Sequence, residues 1–339
     1  MNTYGKNFTI TLFGESHGPF TGVVIDGVKP GIALSEEDFR ADLVRRKNGD
    51  IPSLAQGITA RKEEDTPIFI SGLLDGTTTG APLAILFENK TQNSKDYGKF
   101  RYQPRPSHAD FAASVKFKGF NDPRGGGMFS GRMTLPLVAA GVVAKKMLSD
   151  AGLNLTFKAE ISSIGGTAKK SSTEEAVYLN KWLEIIQKAR EEKDSVGGEI
   201  TCRIEGVPAG IGEPFFNSLE SQIAHLAFSV PGVKGIYFGD LASSLKGSEF
   251  NDAIIDRSGT TATNHSGGIN GGISNGNPIV FSLEIRPAAS IGKPQRTFNF
   301  QTEKVEELCI GGRHDACIAL RCPVIAEAIA AIALADNCC

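Results

Sequence analysis

Apolar and polar positions near the start of the chain follow the short, interrupted pattern of sheet strands. Phe8 to Phe13, Val23 to Val28 and Ile68 to Leu73 each run for a few residues before Gly, Asp or Pro breaks them. Between the second and third of these, Ser35 precedes Glu36, Glu37 and Asp38, a capping residue followed by acidic groups in a first helical turn. The helical pattern then runs through Phe39, Leu43 and Val44, so the helix ends by delivering Arg45 and Arg46. A later amphipathic stretch, Glu174 to about Glu192, sets Lys and Glu against Trp182, Ile185 and Ile186 and predicts a surface helix without a chemical role.

Two further stretches, Leu135–Ala144 and Val324–Ala335, are apolar or small nearly all round, and a helix of that kind must be buried on every side. In a chain otherwise rich in short strands, this predicts an α+β fold with a central layer of helices covered by sheet on both faces, and argues against helices outside a parallel sheet. The length of 339 residues would by itself suggest two domains, at roughly 150 residues each. No composition shift, low-complexity linker or repeat marks a boundary, and the charged stretch from Lys169 to Asp194 reads as a peripheral excursion, so one domain over residues 1–339 is expected.

Charge changes the picture by exclusion. With 36 Lys and Arg against 38 Asp and Glu, the chain lacks the broad basic field that non-specific nucleic-acid binding needs, although a local basic pocket remains open to it. The run Leu135–Ala144 has about half the roughly 20 residues of a membrane span and ends at Lys145 and Lys146, so no membrane is expected. MNTYGKNFTI has no basic n-region followed by an apolar h-region, which predicts a cytoplasmic protein. Cys202, Cys309, Cys317, Cys322, Cys338 and Cys339 form no C-x-x-C pair and read as reduced thiols, with no metal site.

Chemistry is therefore sought in the polar, glycine-rich segments. Gly14-Glu15-Ser16-His17-Gly18 follows a strand, and its glycines let the backbone turn and approach a ligand while presenting Ser16 and His17; taken alone, the histidine also fits a solvated turn. Arg105-Pro106-Ser107-His108-Ala109-Asp110 puts a cation beside an imidazole and reads equally as a helix start capped by Ser107. Asp122 to Arg132 (DPRGGGMFSGR) is a glycine loop feeding the buried helix at Leu135, an anion site by geometry. Late in the chain come Gly267 to Gly276, then Arg286-Pro287, then Gly312-Arg313-His314-Asp315-Ala316-Cys317. No dinucleotide G-x-G-x-x-G and no Walker A motif is present. Together the loops offer Arg45, Arg46, Arg105, Arg132 and Arg313 with His17, His108 and Asp315, a local basic site for a small, multiply anionic substrate with groups for proton transfer near neutral pH.

In this order, GESHG, RPSHAD, the GGG…SGR loop running into an apolar helix, GGISNG and GRHD-x-C resemble chorismate synthase over essentially the whole chain. The resemblance implies a 1,4-anti elimination of phosphate from 5-enolpyruvylshikimate-3-phosphate, the last common step of the shikimate pathway, with reduced FMN lending an electron and recovering it. It implies that His17 protonates the departing phosphate with Ser16 in a relay, and that His108 meets the reduced flavin. Asp315 would assist hydrogen removal at flavin N5, and Arg45, Arg46, Arg105, Arg132 and Arg313 would bind the anionic groups. Ser130, Gly131, Arg132, Arg286, Ser290 and Arg313, with His108, would contact the flavin. Two histidines among many anions would have raised pKa values.

The chain departs from the family in three places. Met128-Phe129-Ser130-Gly131-Arg132 stands for a common R-S-S-A-R, Arg286-Pro287-Ala288-Ala289-Ser290 for Lys-Pro-x-x-Thr, and the loop after Arg46 carries Asp50 where some members have an arginine. The resemblance further implies a β–α–β sandwich of two antiparallel sheets and a homotetramer. With no dinucleotide fingerprint for a built-in NADPH-dependent reductase, the reductant is expected from outside the chain. A phosphatase using the same Arg and His set, or a flavin- or phosphometabolite-binding protein without catalysis, would fit the loops alone.

Overall fold

The computed structural model describes residues 2–59, 64–90, 97–169, 175–312 and 314–338. Its strands form two main antiparallel sheets. One has the order Thr3–Tyr4, Thr9–Gly14, Phe20–Asp26, Leu83–Glu88, Ile68–Ser71. The other runs Val233–Phe238, Ile279–Ile285, Gly198–Glu205, Thr156–Ile164, Thr167–Ala168. Alternation along the strands gives each sheet one apolar face. In the first, Ile10 pairs with Ile25, and Val23 with Ile85. In the second, Cys202 pairs with Phe281 and Ile204 with Ile279. All of these side chains are buried.

The sequence boundaries shift where glycine intervenes. The second predicted strand ends at Asp26 because Gly27 sits at φ +81°, with its Cα so close to the Asn7 carbonyl that a Cβ would lie 1.8 Å from that oxygen. The third ends at Ser71 because Gly72 takes φ +78°, and Leu73–Leu74 belongs to a separate two-stranded ribbon.

Seven helices are described: α1 (Glu37–Asn48), α2 (Asp110–Lys116), α3 (Thr134–Asp150), α4 (Glu175–Glu191), α5 (Leu219–Ser229), α6 (Gly247–Phe250) and α7 (Pro323–Cys338). At the start of α1, the Ser35 amide and hydroxyl both donate to the Asp38 carboxylate, at 2.7 and 3.0 Å, so Ser35 orders this turn as a donor and not as an accepting cap. The α4 helix buries Trp182 and Ile186, and the indole N–H donates to the Thr167 carbonyl at 2.7 Å.

The two helices that read as apolar all round form the middle layer. The α3 helix packs on the first sheet, α7 packs on the second, and the two pack on each other. Gly141 permits the close crossing, since a Cβ there would stand 2.4 Å from Cβ of Ala328. Residues 134–144 and 323–336 are buried without a break, as expected for a helix layer between two antiparallel sheets. Among the described residues, no helix is long and apolar enough to cross a membrane.

Two carboxylates interrupt the buried face of α7: Asp336 near its end, which accepts from the amides of Lys6, Asn7 and Phe8, and Glu327 in its middle. Glu327, only 2% exposed, accepts from Arg45 Nη1 and Nη2 at 2.8 and 2.9 Å, from Lys145 Nζ at 3.3 Å, and from the Ala159 amide at 3.0 Å. Burial opposes its ionisation, but hydrogen bonds from Arg45 and the nearby Lys145 charge outweigh that and hold the carboxyl below its ordinary 4.5. The stability it confers is complete above about pH 4.5 and is lost as pH falls through its lower folded value. Glu327→Gln should destabilise the protein at pH 7 by about 2–3 kcal/mol. That is less than the roughly 3–5 of a fully buried broken pair, because Asp50 and Asp42 still partner Arg45 and Lys145. A lower urea midpoint at unchanged slope, with the acid-side loss of stability reduced, is the expected measurement; an unchanged midpoint would count against this account.

Candidate active site

A cavity of about 670 Å³ opens where the C-terminal end of α1, the loops around His108 and Gly125–Gly131, and the segments 286–290 and 314–325 converge. Arg46, Arg105, Lys234, Arg286 and Arg321 line it, and Asp315 stands among them, so a protein of net charge −2 concentrates positive charge here. Pro231, Val233, Ala288, Ile318 and Ile325 contribute apolar stretches of wall between the polar groups.

The glycine loop sets the geometry. Residues Arg124–Phe129 coil tightly, with Gly125, Gly126 and Gly127 at φ +58°, +87° and +52°. Such a run of left-handed residues is accessible only to glycine at low cost. Ser130 then caps a short turn, its Oγ accepting from the Arg132 amide, and the chain enters α3. The loop is fastened to GESHG: the Ser16 amide donates to the Gly127 carbonyl at 3.2 Å and the Ser16 hydroxyl to the Arg124 carbonyl at 3.3 Å. Asn89 holds the other side of GESHG by donating to the carbonyls of Glu15 and Gly18 at 3.1 and 2.9 Å.

His17 is thereby held edge-to-face against Tyr97, at 5.0 Å between ring centres. It does not itself line the cavity but stands against Gly125, which does. A Cβ on Gly125 would fall 2.4 Å from His17 Nε2, and one on Gly126 would fall 3.4 Å from His108 Nε2. Two successive glycines are thus flanked by the two imidazoles.

His108 lines the cavity with its Nδ1 2.6 Å from Asp110 Oδ1 and 3.1 Å from Arg105 Nη2. Nδ1 cannot both donate to the first and accept from the second. Burial opposes ionisation of Asp110, but hydrogen bonds from Arg105 and His108 hold its carboxyl well below the usual range. A carboxylate oxygen at 2.6 Å requires a proton on Nδ1, so the tautomer assigned here carries Nδ1–H and turns Nε2 toward Gly126. Arg105 forks onto Asp110 with two bonds of 2.7 Å, donates to Ser290 Oγ at 2.9 Å, and lies 4.6 Å over the Phe100 ring. Its guanidinium is therefore fixed before any ligand arrives.

Asp315, also on the cavity wall, accepts from the Thr59 amide at 2.7 Å and from Arg321 Nε at 2.8 Å. Burial raises the cost of its charge, and Arg321 more than compensates, keeping the carboxyl below its ordinary range. Neighbouring His314 is lowered as well, which for an imidazole favours the neutral form: desolvation, and more weakly the Arg105 charge, outweigh the bond from Nε2 to the Gly311 carbonyl. Buried Cys322 on the cavity wall and Cys317 behind it have thiols pushed by desolvation up to about 12, which makes them poor nucleophiles.

Of the residues singled out in the sequence, Arg46, Arg105, His108, Ser130, Gly131, Arg286, Ser290 and Asp315 line the cavity. Arg46 donates to Thr134 Oγ1 and to the Gly131 carbonyl, both at 3.0 Å, which ties α1 to the loop. Arg286 turns back to the Ser107 carbonyl at 2.6 Å. Arg45 does not reach the cavity, because the next position on the helix points about 100° away; it serves Glu327 and Asp50 instead. Arg132 is also not on the wall: it is 2% exposed beneath the loop, bonded to Asn89 Oδ1 at 3.0 Å, Asp65 Oδ1 at 2.5 Å and the Glu88 carbonyl at 3.2 Å. Arg313 lies outside the described residues. The sequence reading passed over Tyr97, Asn89, Lys234 and Arg321, none of which sits in a glycine-rich motif. Only Arg321, a lone cation just ahead of an apolar helix, carried a signal of its own.

The model of the chorismate synthase family matches residues 8–339. A chorismate synthase of Chitinophaga pinensis is 52% identical over 99% of this chain and 96% of its own length. One from Pyrococcus abyssi is 42% identical over 98% and 96%. A crystal structure of a chorismate synthase superposes with a TM-score of 0.72 at 24% identity, covering 98% of this chain and 92% of that one, and so shares the fold.

Proposed function

The chain belongs to the chorismate synthase family, a family of lyases, and from that premise we propose that it eliminates phosphate from 5-enolpyruvylshikimate-3-phosphate to give chorismate, with reduced FMN bound in the same cavity. The observation that carries the reading is the pair of imidazoles flanking Gly125 and Gly126 beside a cavity lined by Arg46, Arg105, Arg321 and Lys234. A substrate with two carboxylates and a phosphate needs that cationic wall. The donor set also suits a flavin mononucleotide: the apolar stretch formed by Pro231, Val233, Ala288 and Ile325 takes a flat ring, while Arg286 and Lys234 take a phosphate. When bound, reduced FMN would lend the substrate one electron as the C–O bond to phosphate breaks and would take one back from the ring as its hydrogen leaves as a proton.

The protein's own groups then bind, orient and move protons. His17, held by Tyr97 at the Gly125 end, protonates the departing phosphate. Ser16 contributes by fastening the loop, since its hydroxyl proton is directed to the Arg124 carbonyl. His108 presents Nε2 with its tautomer fixed by Asp110. Asp315, an ionised carboxylate on the cavity wall, accepts the hydrogen removed as a proton; its Oδ2 takes one bond from Arg321 and retains acceptor capacity. Arg46, Arg105 and, by motif, Arg313 bind anionic groups, and Ser130, Gly131, Arg286 and Ser290 form the cofactor side of the cavity. We further propose a one-domain protein that works in the cytoplasm as a homotetramer, receives reduced flavin from an external reductant, and catalyses the last common step of the shikimate pathway.

Anaerobic incubation of the protein with substrate and reduced FMN should yield chorismate, recognised by its diene absorbance, together with one equivalent of phosphate. Oxidised FMN without reductant should yield neither. Phosphate release with the ring alcohol intact would identify a phosphatase and overturn the reading, and binding of both ligands without turnover would identify a binding protein.

A further inference from the structure

The geometry points to Arg321 as the residue that positions and tunes Asp315, a role that rests on the reading of Asp315 as the proton acceptor. Arg321 closes the short turn Ile318–Arg321 just before α7, and its guanidinium serves three segments at once. Nε donates to Asp315 Oδ2 at 2.8 Å and Nη2 approaches Oδ1 at 3.5 Å. Nη2 also donates to the Thr59 carbonyl at 2.9 Å, while the Thr59 amide donates to Asp315 Oδ1 at 2.7 Å, so Thr59 and Arg321 clamp the carboxylate from two directions. Nη1 donates to the carbonyls of Arg46 and Lys47, which lie in the last turn of α1. Arg321 thereby fixes Asp315 relative to the helix end that carries Arg46 into the cavity.

The charge balance around Asp315 makes Arg321 decisive. Among the described residues, the other titratable groups that register its charge are His314 on its own segment and the Cys317 and Cys322 thiols. The thiols, pushed up to about 12, carry no charge near neutral pH, and the pKa of His314 is lowered. Arg46 lines the same cavity from α1 but is directed to Thr134 and the Gly131 carbonyl. Removing the Arg321 charge should therefore let burial prevail and raise the pH at which Asp315 ionises.

Two measurements on the full-length protein test this. In the pH dependence of kcat with reduced FMN, Arg321→Gln should move the acid limb to higher pH, with Arg321→Lys part-way, because lysine restores charge but not the two-pronged geometry. In an Asp315→Asn background, Arg321→Lys should cost less than about two-fold more. Independently of turnover, the carboxyl-carbon NMR titration of Asp315, assigned by its loss in Asp315→Asn, should shift the same way in ligand-free protein. An unshifted Asp315 titration in Arg321→Gln and Arg321→Lys overturns the inference, as does a uniform fall in kcat at every pH that persists undiminished in Asp315→Asn. If instead Asp315→Asn turns over normally while the NMR shift is present, the tuning stands and the catalytic reading of Asp315 falls.

Discussion

Alanine at His17 or at His108 is expected to lower kcat by roughly 10²–10⁴-fold, the range for loss of a positioned proton-transfer group, while the protein still folds. Each site tolerates truncation for a physical reason. The His17 loop is held by the Ser16 amide and by Asn89, neither of which involves the imidazole. His17→Ala therefore gives up the edge contact with Tyr97 and the charge interaction with Asp122, and leaves those loop bonds in place. His108→Ala removes one donor from Asp110, but the Arg105 fork remains, so no buried carboxylate is stranded. Chorismate formation followed anaerobically, beside a thermal melt for each variant, separates lost chemistry from lost structure. Wild-type turnover in either variant would remove that histidine from the mechanism.

The same two residues show how far a sequence carries such a site. The loops that hold His17, His108 and Asp315 announced themselves because glycine and proline interrupt the apolar pattern, and the helix layer announced itself because Leu135–Ala144 and Val324–Ala335 are apolar or small nearly all round. What escaped notice depends on partners distant in the chain. Glu327 sits in an apolar run and pairs with Arg45 across 282 positions, which periodicity cannot express. The adjacent Arg45 and Arg46 look equivalent in sequence, yet helical geometry turns one to the core carboxylate and the other to the cavity. Arg132 shares a motif with Ser130 but points beneath the loop to Asn89 and Asp65, supporting the site from below. Asn89, which shapes the site by holding the GESHG turn, carries no local composition that distinguishes it from an ordinary polar position, and Arg321 carries only its place ahead of an apolar helix.

Gly125→Ala should be nearly as damaging as loss of His17, and for a reason that stability alone would not reveal. At φ +58° an alanine costs roughly 1–2 kcal/mol of backbone strain, which a protein of this size can absorb. The new methyl, however, would fall 2.3 and 2.4 Å from Cδ2 and Nε2 of His17 and 2.7 Å from the Ser16 hydroxyl. The backbone on both sides is bonded, so the imidazole must swing out of place. Gly126→Ala supplies the comparison: it has similar left-handed strain at φ +87°, but its methyl meets His108 Nε2 at 3.4 Å, within ordinary contact. The expected result is a fall in kcat of about 10²-fold or more for Gly125→Ala, a much smaller fall for Gly126→Ala, and similar melting temperatures for both. Combining Gly125→Ala with His17→Ala should add little to either, because a displaced imidazole and an absent one are equivalent at the reacting phosphate. Equal losses in the two glycine variants, or full additivity with His17→Ala, would show that the loop acts through its backbone shape and not through the placement of His17.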